Sequence, residues 1–194
     1  MSPDSRAAAI AGSVAIVPGG TLSPGNSIAS LAVGALSLSG TDSAPQPMAS
    51  TYAYEVDSSL LGSLGTAADL LVVSGNLDIA AGSILSFTDL ASTVQPFVPT
   101  STVFALINYS GAWNGGLFSY GGTPLADGST FTVGSQQWII DYNSSTGGLN
   151  YTADYLPSSS FVTVAAVPEP TSLALAAFGL AGFVAVAVRR RQRA

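Results

Sequence analysis

The sequence predicts an all-β body, residues 1–166, followed by one C-terminal transmembrane helix. Short apolar runs alternate with polar residues at a period of two, and Gly, Pro or Asn interrupts them every few residues, the pattern of half-buried strands. No segment before residue 170 carries an amphipathic helical stripe. Ser58–Ala68 comes nearest, and Gly62 and Gly65 argue against a helix there. Residues 171–188 contain no charge at all.

Taken in order, the first candidate strand is Val14–Val17, followed by Leu36 and Leu38 alternating with Ser37 and Ser39. In Thr51–Val56, Tyr52, Tyr54 and Val56 share one face and Thr51, Ala53 and Glu55 the other. Leu70–Val73 is a continuous apolar run, Leu77 and Ile79 flank Asp78, and Ile84–Phe87 follows. Residues 88–101, with Pro96 and Pro99, read as a loop joining two halves of the sheet. Beyond it come Val103–Asn108, Phe131–Val133, Gln137–Tyr142 and Phe161–Val164. Asp127-Gly128 suits a tight turn, and Gly147-Gly148 is a second. One internal echo sets Gly34-Ala35-Leu36-Ser37-Leu38 against Gly75-Asn76-Leu77-Asp78-Ile79, 41 residues later. A glycine followed by two inward apolar residues suits a solenoid rung and a sandwich strand equally. The pattern by itself therefore leaves a short β-solenoid and a β-sandwich both open.

Composition excludes much chemistry. The formal charge is −6, and charged residues make up 8% of the chain against roughly 25% in ordinary soluble domains. There is no His, Cys or Lys, hence no His-based triad, no thiol nucleophile, no Schiff base and no zinc site of the usual nitrogen or sulfur kind. Residues 7–188 hold ten acids and no base, a surface that repels nucleic acid. No cofactor is expected.

The tail is the most informative segment. As a helix, residues 171–188 would extend roughly 27 Å, close to the ~30 Å hydrocarbon core of a bilayer. Arg189, Arg190, Arg191 and Arg193 follow at once, a basic cluster that favours the cytoplasmic side and leaves residues 1–166 facing outward. Ahead of the span stands Val167-Pro168-Glu169-Pro170, whose prolines force an extended boundary. This three-part tail resembles the PEP-CTERM sorting signal of Gram-negative, exopolysaccharide-producing bacteria. The resemblance implies that Pro168, Glu169 and Pro170 are recognised by an exosortase, that residues 171–188 form a transient inner-membrane anchor, and that the arginines of 189–194 form a cytoplasmic topology signal. It implies export to the cell envelope or the extracellular matrix.

At the other end, Ala7–Val17 is a poor secretory signal, because it is short, alanine-rich and preceded by a single base. The expectation is that the reading frame begins upstream and that Ser13–Val17 is already a strand. Gly19-Gly20-Thr21-Leu22-Ser23-Pro24-Gly25-Asn26-Ser27 and Ala68-Asp69-Leu70-Leu71-Val72-Val73-Ser74-Gly75 resemble the autotransporter-associated β-strand repeat, over roughly residues 12–87. That resemblance implies a parallel β-solenoid in which Asp69 is a turn residue leading into a strand.

Candidate sites in the body are few. Glu55, Asp57, Asp69 and Asp78 could supply a carboxylate pair for glycoside cleavage, but no flanking pattern singles out two of them. Calcium-loop motifs are missing. Trp113 and Trp138 are candidate glycan contacts, with packing of the sheet interior as the competing reading for Trp138 and Tyr142. The sequons at Asn108, Asn143 and Asn150 read as polar turns. The expected body is thus non-enzymatic and exopolysaccharide-associated. The alternatives are a polysaccharide lyase or hydrolase on a β-helix, and an uncleaved single-pass membrane protein.

Overall fold

The computed structural model describes residues 8–40, 48–91 and 102–167. Among them the chain is all-β, with two short 3-10 helices and no α-helix. It makes repeated passes, each contributing one strand to each of three sheets. The first pass is β1 (Ala8–Ile10), β2 (Val14–Ile16) and β3 (Thr21–Leu22), and the second is β4 (Ser30–Val33), β5 (Leu36–Leu38) and β6 (Thr51–Val56). The third is β7 (Leu70–Val73), β8 (Leu77–Ile79) and β9 (Ile84–Asp89). A fourth begins with β10 (Val103–Tyr109), touches the second sheet through a parallel bridge from Trp113 to Leu77, and ends in β11 (Ser119–Tyr120). The remaining strands are β12 (Thr123–Pro124), β13 (Thr130–Val133), β14 (Gln136–Ser144) and β15 (Ser160–Ala166).

The first sheet runs β1-β4-β7-β10-β15-β14-β13, the second β2-β5-β8, and the third β12-β11-β9-β6-β3. Strands of successive passes pair in parallel, whereas β12 to β15 pair antiparallel. The 41-residue echo is a stack in register, with Leu36 beside Leu77, Ser37 beside Asp78 and Leu38 beside Ile79. Its alternation places Leu36, Leu38, Leu77 and Ile79 in the interior, each at most 1% exposed. In the third sheet Tyr52 stacks on Leu85 and Tyr54 on Phe87. These interior residues form one continuous cluster with Phe104, Phe118, Trp138 and Tyr142. Burying an aliphatic or aromatic side chain of this kind contributes about 1.5–3 kcal/mol.

The middle of the first sheet, at β7 and β10, is buried on both faces, which is why β7 reads as an unbroken Leu-Leu-Val-Val. Its outer face carries Leu70, Val72, Ala105 and Phe161, packed beneath Tyr151, Tyr155 and Leu156. Ser58–Thr66 is a 3-10 helix, not a strand and not the α-helix that Gly62 and Gly65 argue against. The expected strand Val14–Val17 ends at Ile16. Among the described residues no helix is long and apolar enough to cross a membrane. The expected span, residues 171–188, lies outside them.

A column of glycines turns the chain from the first sheet to the second. The Gly34 N–H donates to Gly12 O at 2.8 Å, and the Gly111 N–H donates to Gly75 O at 2.9 Å. A Cβ on Gly34 would stand 2.5 Å from the Gly12 carbonyl oxygen, so successive passes stack closely only because the side chain is missing. Gly34→Ala is therefore expected to cost about 1–3 kcal/mol in urea denaturation. Gly65→Ala, where an added Cβ meets nothing within 4 Å, should stay within about 0.5 kcal/mol. Equal stabilities would show that the corner relaxes freely.

Candidate functional site

The chain leaves the described body from the centre of a sheet. β15 lies between β10 and β14, with Ala165 beside Val103 and Ala166 beside Trp138. Backbone bonding continues one residue further, where the Val167 N–H donates to Gln137 O at 2.9 Å. The buried Gln136 side-chain amide donates to Gln137 O at 2.8 Å and to Val167 O at 3.0 Å, tying the exit to the start of β14. Order imposed by the sheet thus reaches the residue before Pro168. Pro168, Glu169 and Pro170, the span 171–188, and Arg189, Arg190, Arg191 and Arg193 all lie outside the described residues.

The two tryptophans have different surroundings. Trp138 is 2% exposed, and its ring centroid lies 5.1 Å from that of Phe87 and 6.3 Å from that of Phe104. The pleat of β14 turns Trp138, Ile140 and Tyr142 inward together, so Trp138 has no ring face left for a sugar. Its expected glycan contact is replaced by interior packing. Trp113 is half-buried. Its indole N–H donates to Gly116 O at 2.9 Å, and its ring lies parallel to Tyr142 at 5.2 Å. One face is thereby occupied by Tyr142, which leaves the partial exposure of Trp113 as the aromatic surface at this place.

The four acids named from sequence do not form a cleft pair. Asp69 is fully buried and accepts the Ala29 N–H at 2.8 Å and the Glu55 N–H at 2.9 Å, holding two passes of the chain together. Burial pushes its carboxyl up to about 7, while those two N–H bonds and the nearby Glu55 act in opposite directions on it. Asp57 accepts both the N–H and the hydroxyl of Ser59. Asp78, on the second sheet, accepts from the Asn114 side-chain amide. Asp57, Asp69 and Asp78 are thus engaged in local structure, whereas Glu55, beside Asp69, keeps one buried carboxylate oxygen without a hydrogen-bond partner.

A second pair of neighbouring carboxylates is Asp127 and Asp141. Asp127, in the turn before β13, accepts the Tyr142 N–H at 2.8 Å, and this brings it beside Asp141. Burial and the charge of Asp127 both raise the Asp141 carboxyl above its ordinary range. The pair opens onto a groove of about 460 Å³ on the outer face of the first sheet. The turn at Asp127-Gly128 was legible in the sequence, as was the outward alternation of Asp141 between Ile140 and Tyr142. Their proximity depends on hairpin register, which neither residue signals alone. Among the described residues no three His, Cys, Asp or Glu side chains gather as a metal site.

Asn108 and Asn150 correct another expectation. Asn108 lies inside β10, fully buried, where its side chain donates to Ser159 Oγ and accepts the Leu156 N–H. Asn150, also fully buried, accepts the Ala105 N–H at 2.8 Å and donates to Ala105 O at 2.9 Å and to Asp69 O at 2.5 Å. It satisfies the irregular step of β10 between Ala105 and Ile107.

The decisive observation concerns the exit. Residues 166–191 match the PEP-CTERM protein-sorting motif. No curated protein and no solved structure matches the chain. The PEP-CTERM match begins at the last residue of β15. It supports an exported protein directed to an exosortase as its processing partner, with an envelope or extracellular destination.

Proposed function

We propose that this chain is a non-enzymatic component of the cell envelope or extracellular matrix, held at the inner membrane by residues 171–188 until an exosortase cuts near Pro168–Pro170. The observation that carries the reading is the junction itself: a PEP-CTERM motif starting where the sheet ends, at Ala166. An enzyme acting there needs an extended, accessible substrate. The proline-flanked Glu169 cannot pair into a sheet ladder or continue a helix, so it suits that requirement. The division is then a body of 1–166, a recognition segment of 167–170, a span of 171–188 and a basic tail of 189–194.

The body is a short parallel β-solenoid of the autotransporter-associated repeat kind. What supports this is the repeated visit to three sheets in turn, the parallel in-register stacking, and the glycine column between the first two sheets. The antiparallel strands β12 to β15 close one end. Exopolysaccharide is the expected associate, met through the partly exposed Trp113. Against catalysis stands the engagement of Asp57, Asp69 and Asp78 in structural hydrogen bonds.

Intact-mass measurement of the protein from its native host tests the sorting step. The expected result is loss of a C-terminal fragment beginning near Pro168–Pro170, with the full mass retained when Pro168, Glu169 and Pro170 are all replaced by Ala. A full-length wild-type mass would reject processing and favour an uncleaved single-pass protein. For the enzymatic alternative, loss of glycan turnover in both Asp127→Asn and Asp141→Asn would overturn the non-enzymatic assignment.

A further inference from the structure

β14 departs from its own pattern at one position. Its buried row reads Gln136, Trp138, Ile140 and Tyr142, a single amide at the head of a row otherwise aromatic or aliphatic. Burying a neutral amide costs free energy unless its N–H bonds find acceptors. Here they find the Gln137 carbonyl at 2.8 Å and the Val167 carbonyl at 3.0 Å.

Val167 is thereby held by both of its backbone groups. Its N–H donates to the same Gln137 carbonyl at 2.9 Å, and its own carbonyl accepts from Gln136. One residue earlier, the Ala166 N–H donates to Thr102 O at 3.2 Å. The exit is thus fastened to β14 on one flank of β15 and to the residue before β10 on the other. Pro168 follows directly, and it has no N–H with which to extend the ladder. Among the described residues, the last bonds tying the sorting motif to the body are the ones that Gln136 reinforces. Recognition of an extended peptide draws on its main-chain hydrogen-bonding groups. Those of Val167 are already taken, so a cleft reaching from Pro168 towards the body meets them only after local opening.

We propose that Gln136 is a positioning residue for tail processing: its amide latches Val167 to β14, and the exosortase engages the N-terminal flank of Pro168 only when that latch opens. The inference rests on the processing reading above and adds a control of rate to it. Opening breaks only the last bonds of one strand, an event far more frequent than global unfolding. Packing at Gln136 then sets how often the motif is offered for cutting.

Pulse–chase labelling of the full-length chain in its native host, read by intact mass, measures the rate of tail loss. Gln136→Met keeps the volume and removes both donors, so tail loss should become about tenfold faster, the effect expected of two such bonds. In the purified full-length chain, the Val167 amide should exchange with solvent faster by a similar factor. Gly34→Ala, which destabilises the body at the corner between β4 and β5, should leave the rate of tail loss unchanged. Equal acceleration there would reduce Gln136 to a contributor to overall stability and overturn the latch. A Gly-Ser-Gly insert between Val167 and Pro168 moves the motif clear of the latch, beyond the last described ladder bond. It should match Gln136→Met, and combining the two should add nothing, so the test stands even where Gln136→Met misfolds. Equal rates in wild type, Gln136→Met and the insert would overturn the latch and leave the processing reading intact. Unmoved Val167 exchange in folded Gln136→Met would overturn the latch as well. A tail retained in all three would overturn the processing reading, and the latch with it.

Discussion

Asp69→Ala is expected to destabilise the body by about 2–6 kcal/mol, from two N–H donors, those of Ala29 and Glu55, left without their acceptor at about 1–3 kcal/mol each. Chemical denaturation followed by circular dichroism measures it. Asp69→Asn retains one acceptor oxygen and should cost less, which separates lost hydrogen bonds from lost volume. The same residue makes stability depend on pH. Its carboxyl rises from an unfolded value of 3.8 to about 7 in the fold, so between those values the native state holds the proton that the unfolded state has released. Stability contributed by Asp69 is therefore full below about pH 4, declines as pH rises towards 7, and levels off above it. Asp69→Asn should flatten that limb. A limb that survives in the amide variant would assign the dependence to other carboxylates.

Asp69 also shows what sequence reasoning could reach. Its position before Leu70–Val73, within a phrase resembling a solenoid repeat, marked it as a turn residue, and the structure places it there with two backbone donors. Thr51–Val56, Leu70–Val73 and Leu77–Ile79 were readable because each buries one or both faces by a period-two or continuous pattern. β3, β11 and β12, of two residues each, carry too few residues for any period to register. The antiparallel end was hidden for another reason. β15 pairs with both β10 and β14, and register between strands some fifty residues apart is settled by which edges remain free, not by local composition. Asn150 illustrates the consequence: its sequon suggested a surface turn, yet it is buried because the β10 irregularity needs a side chain able to both donate and accept. The Asp127–Asp141 pair likewise depends on register that neither residue signals alone.

Trp138→Ala is expected to cost about 3–5 kcal/mol, the range for removing a large aromatic from a packed interior. Its ring is the meeting point of Phe87 on the third sheet and Phe104 on the first, and its backbone pairs with Phe131 on one side and Ala166 on the other. The cavity would lie just inside the point where the chain departs towards the sorting motif, so loosening should be greatest there. Trp113→Ala removes a half-buried ring stacked on Tyr142 and should cost less. The pair of variants separates two roles that a single loss of glycan association would merge. If Trp113 meets the polysaccharide, Trp113→Ala abolishes association while thermal unfolding shifts only modestly. Trp138→Ala abolishes it only in proportion to unfolding, and association returns when the folded fraction is restored by cooling towards the temperature of maximum stability. A folded Trp138→Ala protein that has lost association would contradict the interior placement of that ring. If, as proposed, recognition of the tail resides in residues 168–170, whichever Trp138→Ala molecules reach the envelope should carry the same processed C terminus as wild type, as their intact mass would show.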